Sequence, residues 1–305
     1  MKALASMLLA GCLLAGFVPA STAQPEPAPI ALTGTLAKVR STGTIALGYR
    51  ESSIPFSYLS ARGEPIGYSI DLCRLLVDAA GEAVGRMPTI QWVPVTSETR
   101  VDAVADGRVD LECGSTTSNV ERKKRVAFSP VIFVAGTRML VRKGSAIRSF
   151  RDLAGKRVVV TAGTTNEGAL RELVRRFHIP LQLSTAADHA QSFEQLASGQ
   201  ADVFATDDVL LHGLIALNGR QGEFAVVGEF LSYEPYGLMY RKGDAQFADL
   251  VARTFRQLAD ERELERRYQR WFLRRLPDSD ASLDLPMSRE LETLFRLQSS
   301  GKEVE

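Results

Sequence analysis

The sequence contains few of the residues that build metal centres, with 3 Cys and 3 His among 305 residues. No two of the histidines (His178, His189 and His212) have the spacing of a ligand pair on one helix face, so we expect no metal site and no cofactor. Net charge is also nearly absent, because 37 Lys and Arg residues stand against 36 Asp and Glu residues. No overall positive field therefore favours nucleic acid or an anionic membrane surface as a partner.

Long apolar runs are missing after residue 18, which argues against a membrane-spanning helix further along the chain. At the start, Lys2 precedes an almost wholly apolar run, and small residues at 21–23 suit cleavage by a signal peptidase. We predict a signal peptide over residues 1–23 and a periplasmic location. A lipoprotein is the alternative, because residues 9–12 (LAGC) resemble a lipoprotein cleavage box that would make Cys12 the first residue.

Two cysteines, Cys73 and Cys113, remain once Cys12 is removed with the signal peptide. Export would expose them to oxidising conditions, where one disulfide could form. Each cysteine also falls within an apolar helix or strand, where Cys commonly packs as a small hydrophobic residue. We favour this second interpretation, with two buried thiols.

Strands and helices alternate along the chain after a proline-containing leader at residues 24–35. The segment 104–113 (VADGRVDLEC) is echoed by 196–205 (LASGQADVFA), and each is typical of a helix end, a glycine and a buried strand. The alternation predicts parallel sheets covered on both faces, and the repeated unit predicts two lobes. The fold class is therefore α/β, with two Rossmann-like lobes that face each other across a cleft at the carboxyl ends of the strands.

Two similar segments, 138–144 (RMLVRKG) and 238–243 (LMYRKG), are candidates for the strands that cross between the lobes. A two-strand hinge at these segments assigns residues 36–138 and 235–305 to the first lobe. Residues 139–234 then form the second lobe, inserted between the two parts of the first.

A long amphipathic helix is predicted near the end of the chain, from Phe247 to about Arg274. Its apolar positions, which include Leu250, Phe255 and Leu258, repeat at helical spacing. We expect this helix to pack on the first lobe.

Polar segments follow the predicted strands, where the cleft would lie. One begins with Arg50, and another contains Ser97, which is placed to cap a helix, and Arg100 in the first turn of that helix. An arginine at this end opposes the helix dipole, and an anionic ligand would offset the mismatch.

Two further segments carry hydroxyl groups. The segment 112–122 leaves a strand through glycine and ends at Arg122, a combination that suits a carboxylate. In the segment 161–167, Thr164 and Glu167 have capping-box spacing, and free N–H groups at such a helix start attract anions. Asp207 follows the next strand, and His189 opens the helix before that strand.

Four segments together closely resemble one protein family: 50–58 (RESSIPFSY), 112–122 (ECGSTTSNVER), 158–165 (VVVTAGTT) and 187–189 (ADH). The chain resembles the periplasmic glutamate/aspartate-binding proteins of ABC transporters over nearly all of its length after the leader. This resemblance implies the type II periplasmic binding fold. It also implies L-glutamate or L-aspartate as the ligand and an ABC transporter permease in the inner membrane as the partner.

The resemblance further implies a role for each residue of the site. The α-carboxylate would be bound by Ser115, Thr117 and Arg122, with help from Thr165. The α-ammonium would be bound by Asp207 and Ser115, and the side-chain carboxylate by Arg50, Ser97, Arg100 and His189. Thr164 completes the candidate ligand-binding set, as a helix cap, a ligand contact or both. The charges agree with this assignment, since three arginines and Asp207 match two carboxylates and one ammonium.

We expect a monomeric binding protein that closes around its ligand and hands it to the permease, and not an enzyme. An enzyme would recruit Ser115, His189 and Asp207 as a triad, but the Gly-x-Ser-x-Gly turn that exposes a nucleophile is missing from the sequence. Dehydratases nevertheless occur on this general fold. A sensory module is the third alternative, although such modules usually carry a spanning segment and a kinase or channel.

Overall fold

The computed structural model describes residues 31–300. The predicted signal peptide at 1–23 and the alternative lipidation site at Cys12 lie outside these residues. Within 31–300, no helix is both long enough and apolar enough to cross a membrane. The leader predicted at 24–35 is too long at its end, because the first helix already begins at Gly34.

The strands of residues 31–300 form two large sheets and two small ones. They are β1 (Thr44–Tyr49), β2 (Ser52–Ser53), β3 (Ser57–Leu59), β4 (Pro65–Ile66), β5 (Thr89–Pro94), β6 (Leu111–Glu112), β7 (Val126–Phe128), β8 (Phe133–Ala135), β9 (Thr137–Arg142), β10 (Arg157–Thr161), β11 (Gln182–Ala186), β12 (Val203–Asp207), β13 (Phe224–Val227), β14 (Glu234–Tyr236) and β15 (Met239–Arg241). The first large sheet has the order β5-β1-β6-β15-β7, and the second has the order β11-β10-β12-β9-β13. Of the small sheets, one joins β2, β3 and β4, and the other pairs β8 with β14.

The helices surround these sheets. They are α1 (Gly34–Thr42), α2 (Tyr68–Val84), α3 (Arg100–Ala105), α4 (Val120–Lys123), α5 (Thr165–Phe177), α6 (His189–Ala197), α7 (Asp208–Leu217), α8 (Ala245–Asp260), α9 (Glu263–Phe272) and α10 (Arg289–Ser299). The first lobe is the first large sheet with α1, α2, α3 and the small sheet β2-β3-β4, and α8 packs on α1 and α2. The second lobe is the second large sheet with α5, α6 and α7.

The central strands are buried on both faces. Every residue of β12 is buried, and β1 and β10 each contain 4 consecutive buried residues. This pattern is that of strands covered by helices on both sides. The structure thus confirms the α/β class that the alternation of elements predicts.

Each large sheet is mixed and not wholly parallel. The strands β5, β1 and β6 are parallel to one another, as are β11, β10 and β12. The fourth strand of each sheet, β15 or β9, is antiparallel to both of its neighbours. The prediction of parallel sheets was wrong for this strand, because the chain enters it directly from the other lobe and not through a helical crossover.

The strands that cross between the lobes are β8 and β14, which pair antiparallel. The segments predicted as the hinge, 138–144 and 238–243, instead belong to β9 and β15 and lie one in each large sheet. Their sequences are similar because both strands occupy the fourth position of their sheet. A two-strand connection exists, but it lies a few residues earlier than predicted, and the division of the chain at residues 139 and 234 stays a prediction.

Cys73 of α2 and Cys113, which follows β6, form a disulfide. The interpretation as two free thiols was wrong. Because α2 packs on the first sheet with Cys73 on its buried face, the two Cα atoms lie 6.1 Å apart, within the range that a disulfide bridges. The crosslink ties α2 to the start of the loop that carries Ser115 and Thr117.

The long helix predicted from Phe247 to about Arg274 is two helices, α8 and α9. The chain between them passes through Arg262, whose φ of 57° lies in the left-handed region. The spacing of the apolar residues explains the break. Leu264 follows Leu258 by six residues, one fewer than the helical repeat of about seven, so one continuous helix would turn Leu264 away from the apolar side. Breaking the helix returns the apolar side of α9 to the core.

Candidate functional site

The ten predicted site residues lie at the carboxyl ends of parallel strands, where α/β sheets bind ligands, or in the segments that follow those ends. In the first lobe, Arg50 follows β1, Ser97 and Arg100 follow β5, and Ser115, Thr117 and Arg122 follow β6. In the second lobe, Thr164 and Thr165 follow β10, His189 follows β11, and Asp207 ends β12. The two sets occupy matching strands of the two sheets.

A small cavity, with room for about one water molecule, lies between these sets. Seven of the ten predicted residues line it: Arg100, Ser115, Thr117, Thr164, Thr165, His189 and Asp207. Asn166 and Leu210 complete the lining. The structure therefore brings residues from both lobes to one space, while Arg50, Ser97 and Arg122 are not part of its lining.

Arg50 is a buried cation whose Nη donors have no hydrogen-bond partner among the described residues. Its side chain is 1% exposed. Burial, followed by the Arg100 guanidinium, lowers the pKa of Arg50 to about 9. The side chain therefore remains charged at neutral pH. Gly114 permits its position, because a Cβ at residue 114 would lie 3.0 Å from Arg50 Cγ.

Arg100 is held by the loop that follows β6. Its Nη1 donates to the backbone oxygen of Ser115 at 3.1 Å and to Thr116 Oγ1 at 2.6 Å. Thr116 in turn donates to Glu112 Oε2 at 2.8 Å. Burial lowers the pKa of Arg100, although Glu112 acts in the opposite direction. The Nε atom of this fixed guanidinium has no partner within the described part of the chain.

Arg122 lies in α4 and is half-buried. Its Nη1 donates to the backbone oxygen of Thr117 at 2.9 Å, and its own backbone N–H donates to the capping residue Asn119 at 2.9 Å. Burial, and then the charge of Arg100, lower the pKa of Arg122 to about 9. Arg100 thus interacts with both other arginines, so the three guanidinium groups form one cluster.

Glu234, on the connecting strand β14, was not predicted as a site residue. Its Oε2 accepts from Thr117 Oγ1 of the first lobe at 2.5 Å and from Thr165 Oγ1 of the second lobe at 2.6 Å. Its Oε1 accepts from Ser232 Oγ at 2.5 Å. The two threonine hydroxyls assigned to the ligand's α-carboxylate therefore donate to a protein carboxylate. The free N–H groups at the start of α5 remain as donors at this point.

Thr164 caps α5. Its Oγ1 accepts from the backbone N–H of Glu167 at 3.1 Å and donates to the backbone oxygen of Thr161 at 2.7 Å. The sequence predicts that Thr164 caps a helix, contacts the ligand or does both. These two hydrogen bonds are those of a helix cap. The side chain also lines the cavity.

His189 is buried, with 2% of its surface exposed. Its Nδ1 lies 2.8 Å from Thr161 Oγ1. Burial, together with the charges of Arg50 and Arg100, holds the pKa of His189 well below its ordinary value. The imidazole is therefore neutral at pH 7.

Asp207 is held by two side chains. Its Oδ1 accepts from Asn166 Nδ2 at 2.6 Å, and its Oδ2 accepts from the Tyr236 hydroxyl. Burial, followed by the charge of Glu234, raises the pKa of Asp207 to about 7. A cation beside this carboxyl would favour its charged form.

Ser97 and Ser115 are buried, and neither hydroxyl has a partner in residues 31–300. Ser97 does not cap α3, so that prediction was wrong. Thr96 and Thr99 make the turn instead, since each backbone N–H donates to the other residue's hydroxyl, at 3.0 and 3.2 Å. The Ser97 hydroxyl is left without a partner among the described residues.

Ser115, His189 and Asp207 do not form a triad. The Nδ1 of His189 bonds to Thr161 and not to a carboxylate, and Asp207 is held by other side chains. Between residues 31 and 300, no cluster of three or more His, Cys, Asp or Glu side chains could hold a metal ion.

Four polar residues of the site were missed besides Glu234: Glu112, Thr116, Asn166 and Tyr236. Glu112, Thr116 and Asn166 each lie in a segment already singled out, and Glu112 could have been found there. A carboxylate at the end of a buried strand needs partners, which is a usable signal. Thr116 and Tyr236 have no distinguishing feature in the sequence.

The lobes meet at two glycines. Gly163, with φ of 71°, lies so close to the first lobe that a Cβ would stand 2.7 Å from Glu98 Cα. Gly213 in α7 packs on Ile54, and a Cβ there would collide with the Ile54 carbonyl oxygen. The lobes are thus in close contact around the cavity.

Two lobes, a two-strand connection and a cavity at facing strand ends define a bilobal ligand-binding protein. The sequence pattern of the bacterial extracellular solute-binding proteins, family 3, matches residues 45–274, and the chain belongs to this family. The fold and the family resemblance predicted from the sequence are thereby confirmed.

Two relatives and one solved structure are informative. The chain is 42% identical over 295 residues to the L-glutamate/L-aspartate-binding protein of Pseudomonas aeruginosa, covering 96% of both sequences. It is 39% identical over 289 residues to the glutamate/aspartate import solute-binding protein of Escherichia coli, covering 94% of this chain and 95% of the relative. An ancestral amino acid-binding protein, described as a precursor of cyclohexadienyl dehydratase, has a TM-score of 0.68 and 29% identity, covering 78% of this chain and 99% of its own.

Proposed function

We propose that this protein captures an acidic amino acid, L-glutamate or L-aspartate, between its lobes outside the cytoplasm and delivers it to an ABC transporter permease. The observation that carries the proposal is the pair of Nη atoms on the buried side chain of Arg50, which have no hydrogen-bond partner among the described residues. A buried cation without partners is destabilising, and a ligand carboxylate would supply charge-assisted hydrogen bonds. The names of the two relatives above support the same ligand class.

Net charge alone does not select an acidic ligand at this site. Besides Asp207, the site contains Glu112 and Glu234, so three carboxyl groups accompany the three arginines. The selectivity for an acidic ligand comes from the hydrogen-bonding direction of each group, donor or acceptor. Arg50 and Arg100 offer free donors to ligand oxygens, whereas Asp207 offers oxygens to the ligand's ammonium.

Binding and release without a chemical step is part of the proposal. It is supported by the engaged positions of His189 and Asp207, which leave Ser115 without a base, and by relatives that are named as binding proteins. Export by a cleaved signal peptide at 1–23, a monomeric state and a permease partner also belong to the proposal.

Calorimetric titration of the mature protein with glutamate, aspartate, glutamine and arginine tests the ligand class. Glutamate and aspartate should bind, and arginine should not, because Arg50 and Arg100 repel a second cation. Glutamine should bind on the order of 100-fold more weakly than glutamate, since its amide accepts fewer charge-assisted bonds. Equal affinities for glutamate and glutamine would remove the role of these arginines, and tight binding of arginine would overturn the ligand class. NMR of a saturated sample should show unchanged ligand after prolonged incubation.

A further inference from the structure

Three hydrogen bonds, two buried and one partly buried, connect His189 to a backbone carbonyl at the start of its own helix. His189 Nδ1 lies 2.8 Å from Thr161 Oγ1, and Thr161 Oγ1 lies 2.9 Å from Ser192 Oγ. Ser192 Oγ donates to the backbone oxygen of Asp188 at 3.0 Å. Thr161 and Ser192 have no exposed surface. We call Thr161 and Ser192 the relay.

We assign the hydrogen-bond directions in this chain from the contact between Ser192 and Asp188, whose carbonyl oxygen also accepts the backbone N–H of Ser192 at 3.0 Å. A carbonyl oxygen only accepts, so in this contact the single hydroxyl proton of Ser192 points to Asp188. The proton of Thr161 must then point to Ser192, and Thr161 can only accept from His189. The Nδ1 atom of His189 therefore carries a proton, and a neutral ring has its lone pair on Nε2.

Among the described residues, two charged side chains act on His189, and two carboxyl groups lie on neighbouring positions. Arg50 and Arg100 act on it from the first lobe and disfavour a charged ring. Asp188, on the same helix, accepts from the backbone of Gln191 at 2.8 Å and caps α6. Asp207 shares the cavity lining with His189, and its oxygens accept from Asn166 and Tyr236. The imidazole thus presents an acceptor next to the donors of two arginines.

We propose that the relay makes His189 a recognition residue that must take a proton from solvent to bind a side-chain carboxylate, but none to bind a side-chain amide. This inference rests on the proposed function, because it concerns how the acidic side chain is recognised. A bare Nε2 and a carboxylate oxygen are both acceptors and repel each other. When a proton from solvent binds to Nε2, the imidazolium donates to the carboxylate. An amide instead donates its own N–H to the bare Nε2.

Thr161 and Ser192 are positioning residues in this scheme, since they act only through His189. Ser192→Ala separates the two possible tautomers. Without the Ser192 oxygen, the Thr161 proton is free to point to Nδ1, and the neutral ring can carry its proton on Nε2. That ring donates to a carboxylate without taking up a further proton.

Proton uptake on binding is measured by calorimetry in buffers of different ionisation enthalpy at pH 7. The wild type should take up about one proton more with glutamate than with glutamine, because any proton change at Asp207 is common to both ligands. The ratio of the two affinities should then fall up to about 10-fold for each pH unit of increase. In Ser192→Ala the excess uptake should decrease towards zero. Ser198→Ala, at the exposed end of α6, is the matched control and should behave as wild type.

The tautomer itself is measured by ¹⁵N NMR of the imidazoles, which is independent of any ligand. We expect the Nδ1–H form for His189 in the wild type and a shift towards the Nε2–H form in Ser192→Ala. An Nε2–H ring in the wild type would overturn the inference, and so would equal proton uptake with the two ligands. If glutamine binds too weakly to titrate, the comparison of Ser192→Ala with the wild type for glutamate decides. If glutamate itself does not bind, the proposed function fails, while the NMR result still shows whether the relay fixes the tautomer.

Discussion

The two lobes present different kinds of groups to one cavity. In the first lobe, the Nη atoms of Arg50, the Nε of Arg100 and the Ser115 hydroxyl are buried without partners within the described part of the chain. In the second lobe, His189 and Asp207 already bond to protein side chains. The first lobe therefore gains most from a ligand, while the second lobe offers a preorganised surface. We infer that the ligand binds the first lobe before the second closes on it.

Among the substitutions that test this difference between the lobes, Arg50→Met should have the largest effect on glutamate affinity. It removes the two free Nη donors, so we expect glutamate affinity to fall on the order of 1000-fold. The free energy of unfolding without ligand should change little, because the substitution removes both the cost of burying the guanidinium and its attraction to Glu112 and Asp188. Urea unfolding and calorimetry measure the two quantities.

Arg62→Met, on an exposed loop of the first lobe, is the control and should change neither. A variant Arg50→Met that binds glutamate as tightly as the wild type would contradict the role of the first lobe as the initial binding surface.

Asp207→Asn should have the next largest effect, on the order of 100-fold in glutamate affinity, because the ammonium loses its charged partner. It should also change the pH dependence of stability. The folded pKa of Asp207, about 7, is above the unfolded value, so the folded state retains a proton that the unfolded state has lost. This group's contribution to stability is therefore present at low pH and is lost as pH rises from about 4 towards 7.

Urea unfolding at several pH values between 4 and 8, without ligand, should show this fall in the wild type and a smaller fall in Asp207→Asn. Asp249→Asn, an exposed carboxylate on α8, is the control. An identical pH profile for wild type and Asp207→Asn would show that Asp207 is charged throughout this range.

Gly213→Ala should have the smallest effect, about 10-fold in glutamate affinity. An alanine in α7 favours the helix by up to about 1 kcal/mol, but its Cβ collides with the Ile54 carbonyl oxygen of the first lobe. Stability without ligand should therefore not fall while closure is impaired. Calorimetry and thermal unfolding measure the two effects.

Gly168→Ala is a matched control, because residue 168 is in α5 and a Cβ there meets nothing within 4 Å. It should raise stability and leave affinity unchanged. Unchanged affinity in Gly213→Ala as well would mean that the contact with Ile54 is not part of the ligand-bound form.

The sequence predicts the positions of the site residues well and their contacts poorly. Strand ends could be located from apolar runs and glycines, and a parallel sheet brings such ends to one edge, so Arg50, Arg100 and Asp207 were found. The partners of these residues depend on distant parts of the chain. Glu234, for example, lies over 100 residues from Thr117, and no local pattern indicates that contact.

The hinge and the disulfide were misjudged for a related reason. Sequence similarity between β9 and β15 reports an equivalent place in two sheets, and only the strand pairing shows that β8 and β14 make the connection. For Cys73 and Cys113, apolar surroundings are equally compatible with a free thiol and a disulfide. The distance between the two residues, which decides the matter, is set by the packing of α2 on the sheet.

Glu234 has one more consequence. Its carboxylate accepts a hydrogen bond from one hydroxyl of each lobe. These bonds lower the free energy of the closed form whether or not a ligand is bound. Less of the ligand-binding free energy is then needed to shift the protein from the open to the closed form. The apparent affinity therefore rises with the fraction of protein that is closed. The Glu234 carboxylate on the connecting strand β14 thereby sets the equilibrium between the open and closed forms. This equilibrium can change without altering which amino acid binds.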